Sequence, residues 1–290
     1  MFKSLRNKSR LKLLASASLL LFISGCAKNM DADGNILPER IIGYTTKFSD
    51  IWSNESWFSA IFVFPLAKLL NALQPYIGVA LAIVVLTILV HLVTFSLTVK
   101  STVATQKIQI IQPELDKIQK KYEGKKDEQS RMRMAQEMQA LYSKHNINPF
   151  GTILTSFIQL PVIIAMWQAV QRSEAVINGT LLGESLKVSP LNGIMSGKIL
   201  YIVIFVVMGL LQFLSMQLPS MLAKRKAKQL PKHAQSSAPA GGSQKSMMYG
   251  MWVFIMFISI SWPTAMSLYW LVSAGVRVAQ TLFINWKYID

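Results

Sequence analysis

Negative charge is scarce in this chain. Asp and Glu together number 14 among 290 residues, against 30 Lys and Arg, and only 15% of residues are charged. A soluble domain carries roughly 25%. No carboxylate falls in the apolar runs at 77–99, 149–172, 199–222 and 247–286. That excludes an ordinary soluble domain and removes the acidic relays of proton-coupled transporters. Cysteine is nearly absent: Cys26 stands alone, so no intramolecular disulfide can form. Catalytic signatures are missing as well. There is no phosphate-cradling glycine loop, no HExxH, no CxxC and no GxSxG. His91, His145 and His233 are too scattered in topology to share a metal. The chain reads as a non-enzyme with no cofactor and no metal.

Apolar residues make up 52% of the chain, and its mean hydropathy is +0.36. The runs 77–99, 149–172 and 199–222 each suit one crossing of about 30 Å of hydrocarbon. Pro161 inside the second is tolerated where neighbouring helices resatisfy the backbone. The run 247–286 is too long for one crossing. Pro263 divides it into 247–262 and 264–286 with a tight turn between. The expectation is an all-α polytopic membrane protein with five transmembrane helices.

The N-terminus has the order of a secretory signal: basic MFKSLRNKSRLK, a short apolar core, then small residues before Cys26. Residues 23–26, Ile-Ser-Gly-Cys, resemble a bacterial lipobox. That makes 1–25 a cleaved lipoprotein signal and Cys26 the lipidated N-terminus. Residues 26–76 then form an extracytoplasmic segment, polar and exposed over 27–55. Over 56–74, Phe58, Ile61, Phe62, Pro65, Leu66, Leu69, Leu70 and Leu73 share one helical face, with Lys68, Asn71 and Gln74 elsewhere. This predicts an amphipathic helix lying on membrane lipid.

Lys and Arg set the orientation. The loop 100–148 carries ten and the loop 223–246 six, against four in 27–76 and two in 173–198. The two basic loops belong in the cytoplasm, 173–198 outside, and the C-terminus inside. Within 100–148, Ile108, Ile111, Leu115, Ile118 and Tyr122 recur at helical spacing, as do Met134, Met138, Leu141 and His145. Two amphipathic helices in an antiparallel hairpin account for both stripes. The loop 223–246 has the composition of a flexible basic linker, suited to solvent, anionic lipid or ribosomal RNA.

Polar residues are scattered through the apolar runs: Thr87, His91, Thr94, Ser96, Thr155, Ser156, Gln159, Gln168, Gln212, Ser259, Ser261, Ser267, Ser273 and Arg277. Many such groups only bond a neighbouring helix. Their number points to a partly hydrated internal cavity.

Three stretches carry a family resemblance: QIIQPELDKIQKKYEGKKDEQ, NPFGTILTSFIQLPVIIAMWQAV and SWPTAMSLYWLVSAGVRVAQ. With five spans and a lipobox, the chain resembles the YidC/oxidase-assembly family of membrane protein insertases in its Gram-positive lipoprotein form, over roughly residues 57–287. The resemblance implies a polar groove in the inner half of the bilayer, open to cytoplasm and lipid and closed outside. Nascent membrane proteins would be its clients. The ribosome and targeting factors would meet the loops 100–148 and 223–246, and the Sec translocon is a further partner. His91 stands where the family usually has an arginine, Ser96 where it has a proline, and Ser101 where it has a glutamine. A histidine is not a permanent charge at pH 7. Arg277, at a similar depth on the last span, is a candidate replacement; the alternative is that it snorkels to the cytoplasmic headgroups. Thr87, Gln159, Trp262 and Tyr269 complete the candidate groove set, with Gln280 near its inner end. Two other classes stay open: a small-solute channel or transporter, and an assembly scaffold without full insertase activity.

Overall fold

The computed structural model describes residue 29 and residues 36–125, 127–227 and 242–289; at 150–157, 227, 242–245 and 247 it describes backbone only. The expected signal 1–25, Cys26, His233 and most of the loop 223–246 lie outside the described residues. The architecture is helical. In chain order the elements are α1 (Phe48–Asn54), α2 (Phe64–Ile110), α3 (Gln112–Lys121), α4 (Glu128–Lys144), α5 (Pro149–Arg172) and α6 (Glu174–Ile177). A two-stranded antiparallel ribbon follows, β1 (Thr180–Leu181) and β2 (Glu184–Ser185). Then come α7 (Pro190–Met195), α8 (Ile199–Ala227), α9 (Gly242–Ser261) and α10 (Thr264–Ile284). Among the described residues, three helical stretches are long and apolar enough to cross a bilayer: Ser59–Ile110, Ile199–Lys226 and Thr264–Ile289. The protein is an all-α membrane protein.

The helix that holds the expected span 77–99 is longer than that span. A wider π-type turn at Ser59–Val63 leads into α2, and α2 runs on to Ile110. It is bent at Gly78, with φ 75° and ψ 161°, a conformation open to glycine and not to side-chain-bearing residues. The arm before the bend is helical where an amphipathic helix is expected, and part of it is buried in the bundle. Ala60, Val63, Ala67, Leu70 and Asn71 are buried, while Ile61 and Phe62 are exposed. Ala60 and Ala67 join Ala165 and Ala169 of α5 in one buried cluster that also takes in Phe58 and Val63.

Asn71 is also not on the polar side. It donates to the Ile42 carbonyl (2.7 Å) and accepts from Ser173 Oγ (2.7 Å) and the Ala175 N–H (3.0 Å). The segment before α1 is likewise not simply exposed. Ile42 is fully buried, and it exchanges backbone hydrogen bonds with Arg172 and Glu174. Backbone pairing with the end of α5 satisfies a short stretch that composition alone marks as polar.

The hairpin stripe is reproduced. Ile111, Leu115, Leu141 and Ile147 form a small buried cluster, joined by Ile108, Ile118 and Met138. Glu114 faces His145, and Lys121 faces Glu137, so α3 and α4 run antiparallel. Pro113 stands in the first turn of α3, directly after the break at Ile111. Gly124 (φ 81°) makes the turn, and the Asp127 carboxylate caps α4 by accepting from the Ser130 N–H at 2.7 Å.

The turn at Pro263 is present. α9 ends at Ser261 and α10 begins at Thr264. The loop 173–198 reaches across this turn. The Leu186 and Val188 carbonyls accept from the Ala265 and Thr264 N–H groups, and the Thr264 hydroxyl donates to Val188 at 2.6 Å. The loop thereby caps the start of α10 and seats Leu186, fully buried, in the main core.

Candidate polar groove between the apolar helices

The same buried stripe on α2 changes character part-way along. Val79, Ala82, Ile83 and Leu86 are buried and apolar; Thr87, His91, Thr98, Ser101 and Gln106 follow at helical spacing, buried and polar. α8 repeats the change, from Tyr201, Ile204 and Met208 to Gln212 and Ser215. α10 repeats it less cleanly, from Ala265, Met266 and Tyr269 to Ser273 and Thr281, with Thr264 and Ser267 as exceptions in its apolar half and Ala274 and Ile284 in its polar half. α2, α8 and α10 pack on one another, so the changes meet at one level. One end of the bundle is closed by the cluster of Leu70, Val79, Ile83, Leu86, Met166, Leu186, Met266 and Tyr269.

Direct bonds fix the level. Arg277 Nη2 donates to Gln212 Oε1 at 2.6 Å, tying α10 to α8. Gln106 Nε2 donates to the Thr281 carbonyl at 3.4 Å, tying α2 to α10. Arg277 also lies within electrostatic reach of both His91 and Tyr269. It is half-buried. Every ion pair among the described residues lies elsewhere, so no described carboxylate neutralises Arg277. The threonines of α2 are satisfied within the helix. Thr87, Thr94, Thr98, Thr102 and Thr105 each donate to the carbonyl four residues back, at 2.6–3.0 Å. They line the stripe with oxygen without demanding a partner across it.

The expected site residues divide. Thr87, His91 and Arg277 come together. Gln159 is half-buried on α5. Trp262 and Tyr269 belong to the closed end. Trp262 stands between Trp167 and Trp270, with ring centroids 5.5 and 5.4 Å away, and Tyr269 is 1% exposed in the apolar cluster. Tyr269 is the last large buried side chain of α10 before Ser273. Side chains of Thr155 and Ser156 lie outside the described residues. Gln212 is the polar residue that sequence reasoning noted and did not select. Its signal was available: an amide in the middle of the apolar run of α8.

A second polar cluster was missed. Arg172, fully buried at the end of α5, donates from Nη2 to Glu55 Oε1 at 2.5 Å and from Nε to the Arg40 carbonyl at 2.7 Å. It fastens the segment before α2 to the bundle.

A helical bundle with three stretches long and apolar enough to cross a bilayer, buried apolar residues at one end and more buried polar ones at the other, defines a class: all-α polytopic membrane proteins. The chain belongs to the family described as 60Kd inner membrane protein, whose model matches residues 72–290. Membrane protein insertase YidC 1 of Streptococcus pyogenes is 31% identical over 286 residues, 98% of this chain and 88% of that one. Membrane protein insertase YidC 2 of Bacillus anthracis is 28% identical over 96% of this chain and 94% of its own. Membrane protein insertase MisCA of Bacillus subtilis is 30% identical over 77% of each. Among solved structures, one described as an active YidC insertase crystal structure with the first transmembrane domain resolved matches with a TM-score of 0.52 at 16% identity. The match covers 81% of this chain and 47% of that chain, and it supports the shared fold.

Proposed function

We propose that this protein is a membrane protein insertase. It receives the hydrophilic part of a client in a groove open to the cytoplasm and lets the client's apolar helix pass into lipid. The observation that carries this reading is the change from apolar to polar at one level on α2, α8 and α10. A polar segment in hydrocarbon costs several kcal/mol per unsatisfied group. A wet pocket reaching part-way shortens the dry distance, and partitioning of the client's own apolar helix drives the rest, with no nucleotide needed. The apolar cluster keeps the far end shut to ions.

On this reading there are five spans, α5 and α9 joining the three long apolar stretches, with the closed end outside. Cys26 carries lipid on the outer face. The arm before Gly78 rests in the outer leaflet, and the C-terminus is cytoplasmic. The hairpin of α3 and α4 and the basic loop 223–246 face the ribosome or targeting factors, and the Sec translocon is a neighbour. His91, Thr87, Gln159 and Arg277 form the groove wall, with Arg277 supplying the cation that His91 does not.

Two measurements test it. Complementation of an insertase-depleted bacterium tests activity; failure to support growth at normal expression overturns the reading. Thiol labelling of His91→Cys, Gln159→Cys and Arg277→Cys variants tests the groove. A water-soluble maleimide reacts at all three if the groove is wet. Dry, unreactive positions would sink the mechanism while leaving the fold intact.

A further inference from the structure

The proposed function leaves one question of chemistry: what keeps the Arg277 guanidinium in the groove. An arginine about 10 Å from a headgroup layer reaches it by extending along its helix. Here it turns sideways. Its Nη2 donates to the side-chain oxygen of Gln212, 65 residues away on α8, at 2.6 Å. Gln212 is 6% exposed, so its amide has little water to bond instead. Its own backbone carbonyl accepts from Ser215 Oγ at 2.8 Å within α8. The charged and titratable groups in electrostatic reach of Arg277 are Tyr269 on its own helix and His91 on α2. None is a carboxylate.

The type of acceptor matters as much as its place. A guanidinium has five N–H donors in a rigid fork. Gln212 takes one and contributes no charge. The cation is therefore aimed and left unneutralised. A carboxylate at 212 would hold the same geometry and cancel the field.

We propose that Gln212 is the positioning residue that sets the groove's preference for clients with acidic translocated segments, by orienting Arg277 without neutralising it. This rests on the insertase reading. Position 212 tunes charge selectivity, and Arg277 makes the contact.

The test uses the full chain reconstituted in vesicles of phosphatidylethanolamine and phosphatidylglycerol. Two single-span clients are compared, identical except that the translocated tail carries aspartates in one and asparagines in the other. Insertion is read as protease protection of the tail. Wild type favours the aspartate tail by roughly ten-fold, the scale of one well-placed charge contact. Gln212→Glu abolishes that preference, lowering insertion of the aspartate tail more than that of the asparagine tail, and does not lower Tm, because it adds an ion pair. A merely structural role predicts the reverse, a change in Tm with both clients affected alike. Gln212→Met, close in volume and without an acceptor, releases Arg277 and also loses the preference. It serves as the second arm if Gln212→Glu fails to fold. An intact aspartate preference in either folded variant overturns the proposal. Insertion of neither client by wild type overturns the insertase reading itself, a separate outcome.

Discussion

Arg172 and Glu55 meet at 2.5 Å with side chains 0% and 4% exposed, 117 residues apart in sequence. The pair joins the end of α5 to the segment entering α2. Arg40 stands 3.6 Å from the same carboxylate oxygen. Burial makes the pair asymmetric in its consequences. Its net contribution to stability is small, since desolvation offsets attraction, but removing one member strands the other. Arg172→Ala is expected to cost about 3–5 kcal/mol. Glu55→Gln costs less, because the amide oxygen still accepts. Thermal unfolding in detergent measures both; equal losses would mean that the carboxylate's charge carries the whole effect.

Much of this fold is legible from apolar run length and proline position alone. Pro263 marks the boundary between α9 and α10 because a proline cannot continue a helix. The stripe through Ile111, Leu115 and Leu141 predicts the hairpin because amphipathic periodicity survives in a loop that packs only on itself. The outer arm of α2 is harder. Its eight apolar residues form one face expected on lipid, yet Phe58 and Leu70 are buried in the bundle while Ile61, Phe62 and Pro65 are exposed, and Ala60 and Ala67 are buried in a cluster with residues of α5. Periodicity locates a face, but which neighbour covers it depends on contacts distant in sequence. The same limit hides Arg172 and Glu55, whose pairing exists only after α5 has come back beside the start of α2. In the groove, His91 and Arg277 are legible because a polar residue in an apolar run is conspicuous. Trp262 and Tyr269 pack in the apolar cluster, and periodicity alone does not say so because an aromatic residue suits a groove wall, a lipid boundary and a core equally well.

Gly78 offers a sharper test of the bend. Its backbone sits at φ 75° and ψ 161°, and a Cβ there would meet nothing within 4 Å. Space is not the obstacle; the dihedral is. Gly78→Ala is expected to cost about 1–3 kcal/mol and to swing the outer arm off α5. Unfolding temperature reads the first effect. A distance between spin labels on the arm and on α5 reads the second. If Tm falls while that distance stays fixed, the bend is strained and not hinged.

The hairpin carries a pH dependence of defined sign. The Lys121 ammonium, followed by the Tyr122 hydroxyl, holds the Glu137 carboxyl below its ordinary value of 4.5 by hydrogen bonding. Glu137 in turn raises Lys121 above 10.5. A lowered acid contributes stability that is complete above 4.5 and lost as pH falls through its folded value. A raised base contributes stability that is complete below 10.5 and lost as pH rises through its own. The contact is therefore fully held between these limits. All three side chains are solvent-facing, so the effect is confined to the hairpin tip. Limited proteolysis near Gly124 should accelerate as pH drops below 4.5. In Glu137→Gln that acid-side acceleration should vanish, while cutting at neutral pH rises modestly.

His91→Arg is the most informative single change in the groove, because His91 is 6% exposed on α2 and lies within electrostatic reach of Arg277. A second guanidinium there meets a like charge with no described carboxylate to separate them. Repulsion between two like charges sharing one pocket at an effective dielectric near 20 amounts to a few kcal/mol. The variant should lose stability on that scale. Arg277→Ser in the same chain should then restore most of it, a coupling far from additive. The double variant carries its one groove cation on α2. If that cation is what clients with acidic tails recognise, insertion of such clients should survive in the double variant and fail in Arg277→Ser alone. Unfolding temperatures of the four chains in the cycle give the coupling directly. Additive Tm shifts would mean that the two side chains do not share a groove, and with that the proposed exchange of roles between α2 and α10 would fall.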